Sequence, residues 1–73
     1  MLAVLVERRR SKGITQADLS VSLNKPQPFI SKVERGVRRI DLIEFCAIAR
    51  ALGDNPSDLF RQVLNKLPRQ LEI

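Results

Sequence analysis

The chain has no histidine, tryptophan or tyrosine, a single cysteine, and no apolar run long enough to span a bilayer, which takes about eighteen residues or more. Each absence removes a class of chemistry. Without histidine there is no zinc constellation to propose, and Cys46, the one thiol, can form no internal disulfide. No carboxylates cluster in the sequence, so acid–base and nucleophilic catalysis have little to work with. Neither an enzyme nor a cofactor is expected. The opening MLAVLVERRR sets its apolar part before its basic part and shows no small-residue cleavage site, the wrong order for a secretory signal. It reads as a helix, in a protein expected in the cytoplasm and away from membranes.

What is present fits one small domain. The 73 residues are 44% hydrophobic with three phenylalanines, enough for a modest core that buries about 60% of the surface the unfolded chain exposes. The net charge of +5 is unevenly spread. Residues 1–39 carry nine Lys or Arg against three acids, a balance of +6, and residues 40–73 carry four against five, a balance of −1. Positive charge gathered in one half suggests a polyanion-binding face more than a general aid to solubility.

Apolar residues recur at spacings of three and four throughout, and no stretch alternates long enough for a strand, so an all-α bundle of five helices is expected. The helices are expected at about 2–11, 16–23, 26–34, 42–52 and 56–67, with a tail at 68–73. Leu2, Leu5 and Val6 should face inward on the first, which Gly13 closes. Thr15 is a good N-cap for the second, and Asn24 after it suits a left-handed turn. DLIE at 41–44 reads as a capping box with Asp41 as cap and Glu44 reaching back. The fourth helix should bury Leu42, Phe45, Cys46, Ala49 and Leu52. Asn55 caps the fifth, with Pro56 at its first position, and its apolar positions are Leu59, Phe60, Val63, Leu64 and Leu67.

The stretch NKPQPFISK, residues 24–32, puts two prolines where the third helix should begin. The first four N–H groups of a helix have no internal acceptor, so proline there discards donors that had no use. A residue before proline is nonetheless pushed away from the α region, and Gln27 precedes Pro28. Two placements follow: the helix begins at Pro26 with a distorted first turn, or Gln27 is the cap and Pro28 the first helical residue. Either way Gln27 stands at the helix mouth.

Residues 13–36, GITQADLSVSLNKPQPFISKVERG, resemble the helix-turn-helix of the phage-repressor and Cro-like family, often called XRE-type. The TQ pair, the eleven-residue step from Gln16 to Gln27 and the ERG ending carry the resemblance, and RRIDLIEFCAIARALGDNPSDLF continues it into the fourth and fifth helices. Three positions besides Pro28 depart from the family pattern. Ser20 stands where alanine is usual, Asn24 where glycine is usual, and Lys25 where an apolar residue is common. Ser20 keeps the small volume needed for close packing, and its hydroxyl can bond back to a carbonyl of its own helix.

The resemblance implies a lambda-repressor-like domain that binds double-stranded DNA with its third helix in the major groove, whose width of about 12 Å admits a helix. The implied base-contacting residues are Gln27, Pro28, Ser31 and Lys32. Gln27 offers the donor and acceptor that suit adenine N6 and N7, and Lys32 can donate to guanine O6 or N7. Pro28 replaces a polar residue and can only press its ring on a thymine methyl. Lys12, Thr15, Gln16, Arg35, Arg38 and Arg39 are the expected backbone contacts, Gln16 also bracing Gln27. About five neutralised phosphates would give a log–log salt slope near −4 to −5 per subunit. Arg9 and Glu34 are expected to pair beneath the DNA-binding face. Ile30 and Val33 belong in the core, Phe29 half exposed beside the DNA, and Cys46 in the core as a small packing residue.

Such proteins usually bind a pseudo-palindrome as two-fold dimers. Leu64, Leu67, Leu71 and Ile73 leave a leucine-rich patch near the C-terminus that is expected at the homodimer interface or, alternatively, as a cap on the bundle. Two functions remain open on the sequence. One is a transcriptional regulator, most simply a repressor occupying an operator; the other is an interaction module, such as an antitoxin or adaptor, that holds a protein partner such as a toxin or another regulator.

Overall fold

The computed structural model describes residues 2–71, the side chain of Leu2 excepted, so the expectations for Leu2 and Ile73 lie outside the described residues. The chain forms α1 (Leu2–Ser11), α2 (Gln16–Ser22), α3 (Gln27–Glu34), α4 (Leu42–Ala51) and α5 (Pro56–Lys66), with no strand among the described residues.

Local chemistry accounts for most helix starts. The Thr15 hydroxyl accepts from the Asp18 N–H at 3.0 Å while the Asp18 carboxylate accepts from the Thr15 N–H at 3.3 Å, so α2 opens with a reciprocal capping box. Asp41 and Glu44 do the same for α4, at 2.7 and 2.9 Å. For α5, Asn55 Oδ1 accepts from the N–H groups of Ser57 and Asp58, and Pro56 takes the first helical position.

The start of α3 differs from both placements the sequence allows. Pro26 is the N-cap, with φ −66° and ψ 148°, Gln27 is the first helical residue and Pro28 the second. Pro26 needs no side-chain cap because Gln27 and Pro28 lie within the first turn, where free N–H groups reach solvent and Pro28 has none to leave unpaired. Gln27 is helical despite preceding proline. The Phe29 N–H closes the turn on the Pro26 carbonyl at 2.9 Å.

The first four helices end alike. After α2, the N–H of Asn24 reaches the Val21 carbonyl and that of Lys25 the Ser20 carbonyl; after α3, Gly36 and Val37 repeat the pattern on Val33 and Lys32. Such a closure needs a residue in the left-handed region, and Asn24 supplies it at φ 54° where its short polar side chain tolerates the strain better than other non-glycine residues. The turn between α2 and α3, which sets how the two helices meet, is therefore specified locally.

The core draws on every helix: Val4 and Leu5, Leu19, Ile30, then Phe45, Ile48, Ala49 and Leu52, then Leu59 and Val63. Truncating Leu59, fully enclosed, to alanine should cost about 2–5 kcal/mol. Two inward faces differ from the sequence reading. On α1, Val4 takes the place expected for Val6, which is only half-buried. On α4, Leu42 is 66% exposed and Cys46 half-buried, whereas Ile48 joins the core. Phe45, Ile48, Ala49 and Leu52 form the i, i+3, i+4, i+7 stripe; Leu42 lies a turn ahead of it, in the open first turn, where no other helix covers it. Phe60, 41% exposed, meets Phe45 edge to face at 5.9 Å between ring centres.

α3 packs on α2 and α1, and α5 on α4 and α1. The radius of gyration is 11.9 Å, against about 11 Å for a compact chain of this length. The consequence for function is a short α3 held from behind by two helices, with its other side open.

Candidate nucleic-acid interface

Ile30 and Val33 of α3 are buried, and Phe29 half-buried. A helix that buries those positions must turn Gln27, Pro28, Ser31, Lys32 and Arg35 the other way. Gln27, Pro28, Lys32 and Arg35 are exposed and Ser31 half-buried. Gln27, Pro28, Ser31 and Arg35 line one shallow open groove together with Gln16 from the start of α2. Three of the four residues expected to touch bases thus line one groove beside Gln16, and Lys32 lies exposed outside that lining.

Beneath this face lies an ionic cluster. Arg9 donates from Nε to Glu34 Oε2 at 2.6 Å and from Nη2 to Glu34 Oε1 at 2.9 Å, and its Nη1 reaches the Ile14 carbonyl at 2.8 Å. Arg9 is only 8% exposed. Burial alone would raise the Glu34 carboxyl, but hydrogen bonds from Arg9 and Gln16, with the charges of Arg9 and Arg10, outweigh it and hold the group below its ordinary range. The hydrogen bond to Glu34 likewise raises Arg9, against its own desolvation. Both members are charged at neutral pH. One guanidinium thereby joins α1, the loop before α2, and α3.

Gln16 does not bond to Gln27 here. Its Nε2 donates to Glu34 Oε1 at 3.0 Å, and Ser20 Oγ donates to the Gln16 backbone carbonyl at 2.8 Å, which leaves Ser20 buried and satisfied.

The expected backbone-contacting cations are placed differently from one another. Arg35 and Arg39 are exposed and have no acidic partner among the described residues, Arg35 bonding only to the Ser31 carbonyl of its own helix. Lys12, expected at the phosphates, is committed elsewhere: its Nζ is 2.7 Å from Asp54 Oδ1 and also donates to the Leu52 carbonyl, at the junction of α4 and α5. Arg38 grips Glu44 with two nitrogens at 2.9 and 3.2 Å and lies over the Phe29 ring at 4.5 Å. Lys25 approaches the same ring at 5.6 Å. Phe29 is thus flanked by two cations rather than bare. Thr15, as cap of α2, is exposed.

Arg10 is a candidate the sequence reading passed over. It is exposed, lacks an acidic partner among the described residues, and lies near enough to Glu34 to depress its carboxyl. The available signal was its position one residue past Arg9, about 100° around the helix. Among the C-terminal leucines, Leu64 and Leu71 are more than half exposed and Leu67 half-buried.

Among the described residues, no group of histidine, cysteine and acidic side chains is arranged to hold a metal ion, and no helix is long and apolar enough to cross a membrane.

Comparison with known proteins gives the arrangement a context. The helix-turn-helix family profile matches residues 5–60. Among solved structures, the chain is similar to an XRE-family like protein from Pseudomonas syringae pv. tomato str. DC3000, at 40% identity and a TM-score of 0.84 over 92% of this chain and 82% of that one. No curated protein matches the chain.

Proposed function

Because the chain belongs to the Cro/C1-type, or XRE, helix-turn-helix family of DNA-binding transcription regulators, we propose that it represses by occupying a pseudo-palindromic operator as a homodimer, with α3 in the major groove. The observation that carries this reading is the division of α3. Ile30 and Val33 anchor it to the core, while Gln27, Pro28 and Lys32 stand exposed on the other side with the half-buried Ser31. Gln27 reads adenine and Lys32 guanine, and Pro28 packs on a thymine methyl. Thr15, Gln16, Arg10, Arg35 and Arg39 hold the phosphates. The site of action is the cytoplasm, where the DNA is.

Lys12 and Arg38 already hold carboxylates, so the count of counterions released should fall. With Arg10, Arg35 and Arg39 as the principal phosphate cations, the log–log salt slope should lie near −3 per subunit rather than −4 to −5. The deciding experiment is selection of bound duplexes from a random library, followed by titration of the winner against genomic competitor. Gln27→Ala and Lys32→Ala should each lower specific affinity about tenfold and leave thermal melting unchanged. A wild-type protein that prefers no duplex over competitor at low salt would end the proposal.

The dimer contact we assign to an apolar stripe made of Phe60 and Leu64 on α5, the half-buried Leu67 that follows it, and Leu71 of the tail. Sedimentation at micromolar concentration should give a dimer that Leu64→Lys converts to monomer. A wild type that is monomeric alone but co-purifies stoichiometrically with another polypeptide would instead favour an antitoxin or adaptor using the same stripe.

A further inference from the structure

Arg38 stands beside α3 with its charge already engaged. Its Nη1 donates to Glu44 Oε1 at 3.2 Å and to the Arg39 carbonyl at 2.8 Å, and its Nη2 donates to Glu44 Oε2 at 2.9 Å. The guanidinium lies over the Phe29 ring at 4.5 Å, and the Arg38 backbone N–H bonds to the Lys32 carbonyl, so this cation borders the face that α3 turns outward. Glu44 serves two partners at once. Besides Arg38, its Oε1 accepts the Asp41 N–H at 2.9 Å and completes the cap of α4. Hydrogen bonds from Arg38 and from the Asp41 N–H hold its carboxyl below the ordinary range, against some desolvation, and it is charged at neutral pH.

We infer that Glu44 is a positioning residue that limits the strength of DNA binding through Arg38, holding a fourth phosphate cation back from the border of α3. The pair is neutral as a unit, so Arg38 in place displaces no net counterion. Moving it to a phosphate would trade one anionic acceptor for another and leave a bare carboxylate beside a polyanion, where like charges repel. The pair is therefore kept in the complex as in the free protein. An amide at position 44 reverses this balance. Its carbonyl oxygen can still take the Asp41 N–H, since glutamine also serves at the third position of a capping box, but its NH2 then meets Arg38 Nη2 donor to donor. Arg38 is released, and because a phosphate contact carries no base information, binding should strengthen alike on every duplex.

The inference rests on the placement of α3 in the groove proposed above. Its test measures affinity for the selected duplex and for an unrelated one between about 50 and about 200 mM salt. Glu44→Gln should bind both more tightly than the wild type at the lower salt. Its slope should move from near −3 to near −4, so that the advantage shrinks about 3.5-fold across that range. Losing a negative charge also raises affinity through the field of the whole protein, and the Arg38→Ala background separates the two causes. There the same substitution should move the slope by less than about half a unit. A slope that Glu44→Gln leaves unchanged, or moves as far without Arg38 as with it, overturns the inference. If Glu44→Gln does not fold, Glu44→Ala keeps Asp41 accepting the N–H of residue 44 and carries the same expectation. In the free protein, nitrogen NMR should find the Arg38 guanidinium rotating more slowly in the wild type than in Glu44→Gln, and equal rates would also overturn the inference. A wild type that prefers no duplex would end the groove reading, while the rotation rates and the slopes on bulk DNA would still judge the hold of Glu44 on Arg38.

Discussion

Arg8 and Arg9 are neighbours on α1 and bind it to different parts of the fold. Arg9 turns inward beneath α3 and meets Glu34, each side chain 10% exposed; Arg8, about 100° further round the helix, meets Asp54 at the α4–α5 junction with its own side chain 35% exposed. Lys12 joins Arg8 on Asp54, and Gln16 joins Arg9 on Glu34. The two clusters are built alike, one carboxylate receiving two donor side chains, with Glu34 and Asp54 about equally covered at 10% and 12%; they differ in how far water reaches the cation. In the drier cluster each charge depends on its partner to offset desolvation. In the wetter one, solvent can replace much of what a lost partner gave.

The sharpest way to break that contrast is to remove one partner from each. Arg9→Ala should destabilise the fold by about 3–5 kcal/mol in urea titration, because it leaves Glu34 charged and enclosed. Replacing both Arg9 and Glu34 by methionine should cost less than Arg9→Ala alone. A double variant at least as unstable as the single would show that the ion pair itself, and not the stranded charge, carries the energy.

Asp54→Asn should cost less, about 1–2.5 kcal/mol at neutral pH, the upper figure being full proton linkage and the lower allowing for solvent screening. Hydrogen bonding from Arg8, against burial and with help from Lys12, holds the Asp54 carboxyl at about 2, below its ordinary 3.8. A carboxyl lowered on folding contributes in full above its unfolded value and loses that contribution as pH falls through the folded one. The gap between wild type and Asp54→Asn should therefore be constant from pH 7 to about pH 5 and close between about pH 4 and pH 2. A gap independent of pH would remove Asp54 as its source. The smallest effect is expected where both partners are exposed: Lys66 meets Glu7 at 3.2 Å with more than half of each side chain in water, and Lys66→Ala should leave the urea midpoint unchanged within error.

What could be read from the sequence follows from how local each cause is. Thr15, Asp41 with Glu44, and Asn55 with Pro56 could be identified as helix starts because a cap and its target lie within three residues. The left-handed turn at Asn24 was legible for the same reason. At Gln27 two local rules conflict, proline's welcome in a first turn and its effect on the residue before it, and the sequence does not say which gives way. Lys12 lies far from Asp54 in sequence, and only the folded chain brings that carboxylate to it. Arg38 finds Glu44 across a loop by the same logic. The exposure of Leu42 was equally illegible, since its spacing matches the buried stripe and only the end of the packing distinguishes it. For the candidate site, the family motif marked Gln27 and its neighbours, but not that the Gln16 amide would face Glu34.

The separation within α3 has a bearing on how such a molecule can change over generations. Gln27, Pro28, Ser31 and Lys32 add nothing to the buried core, so exchanging them leaves the scaffold's thermodynamic reserve intact. A lineage can therefore vary these outward positions without first acquiring compensating changes inside.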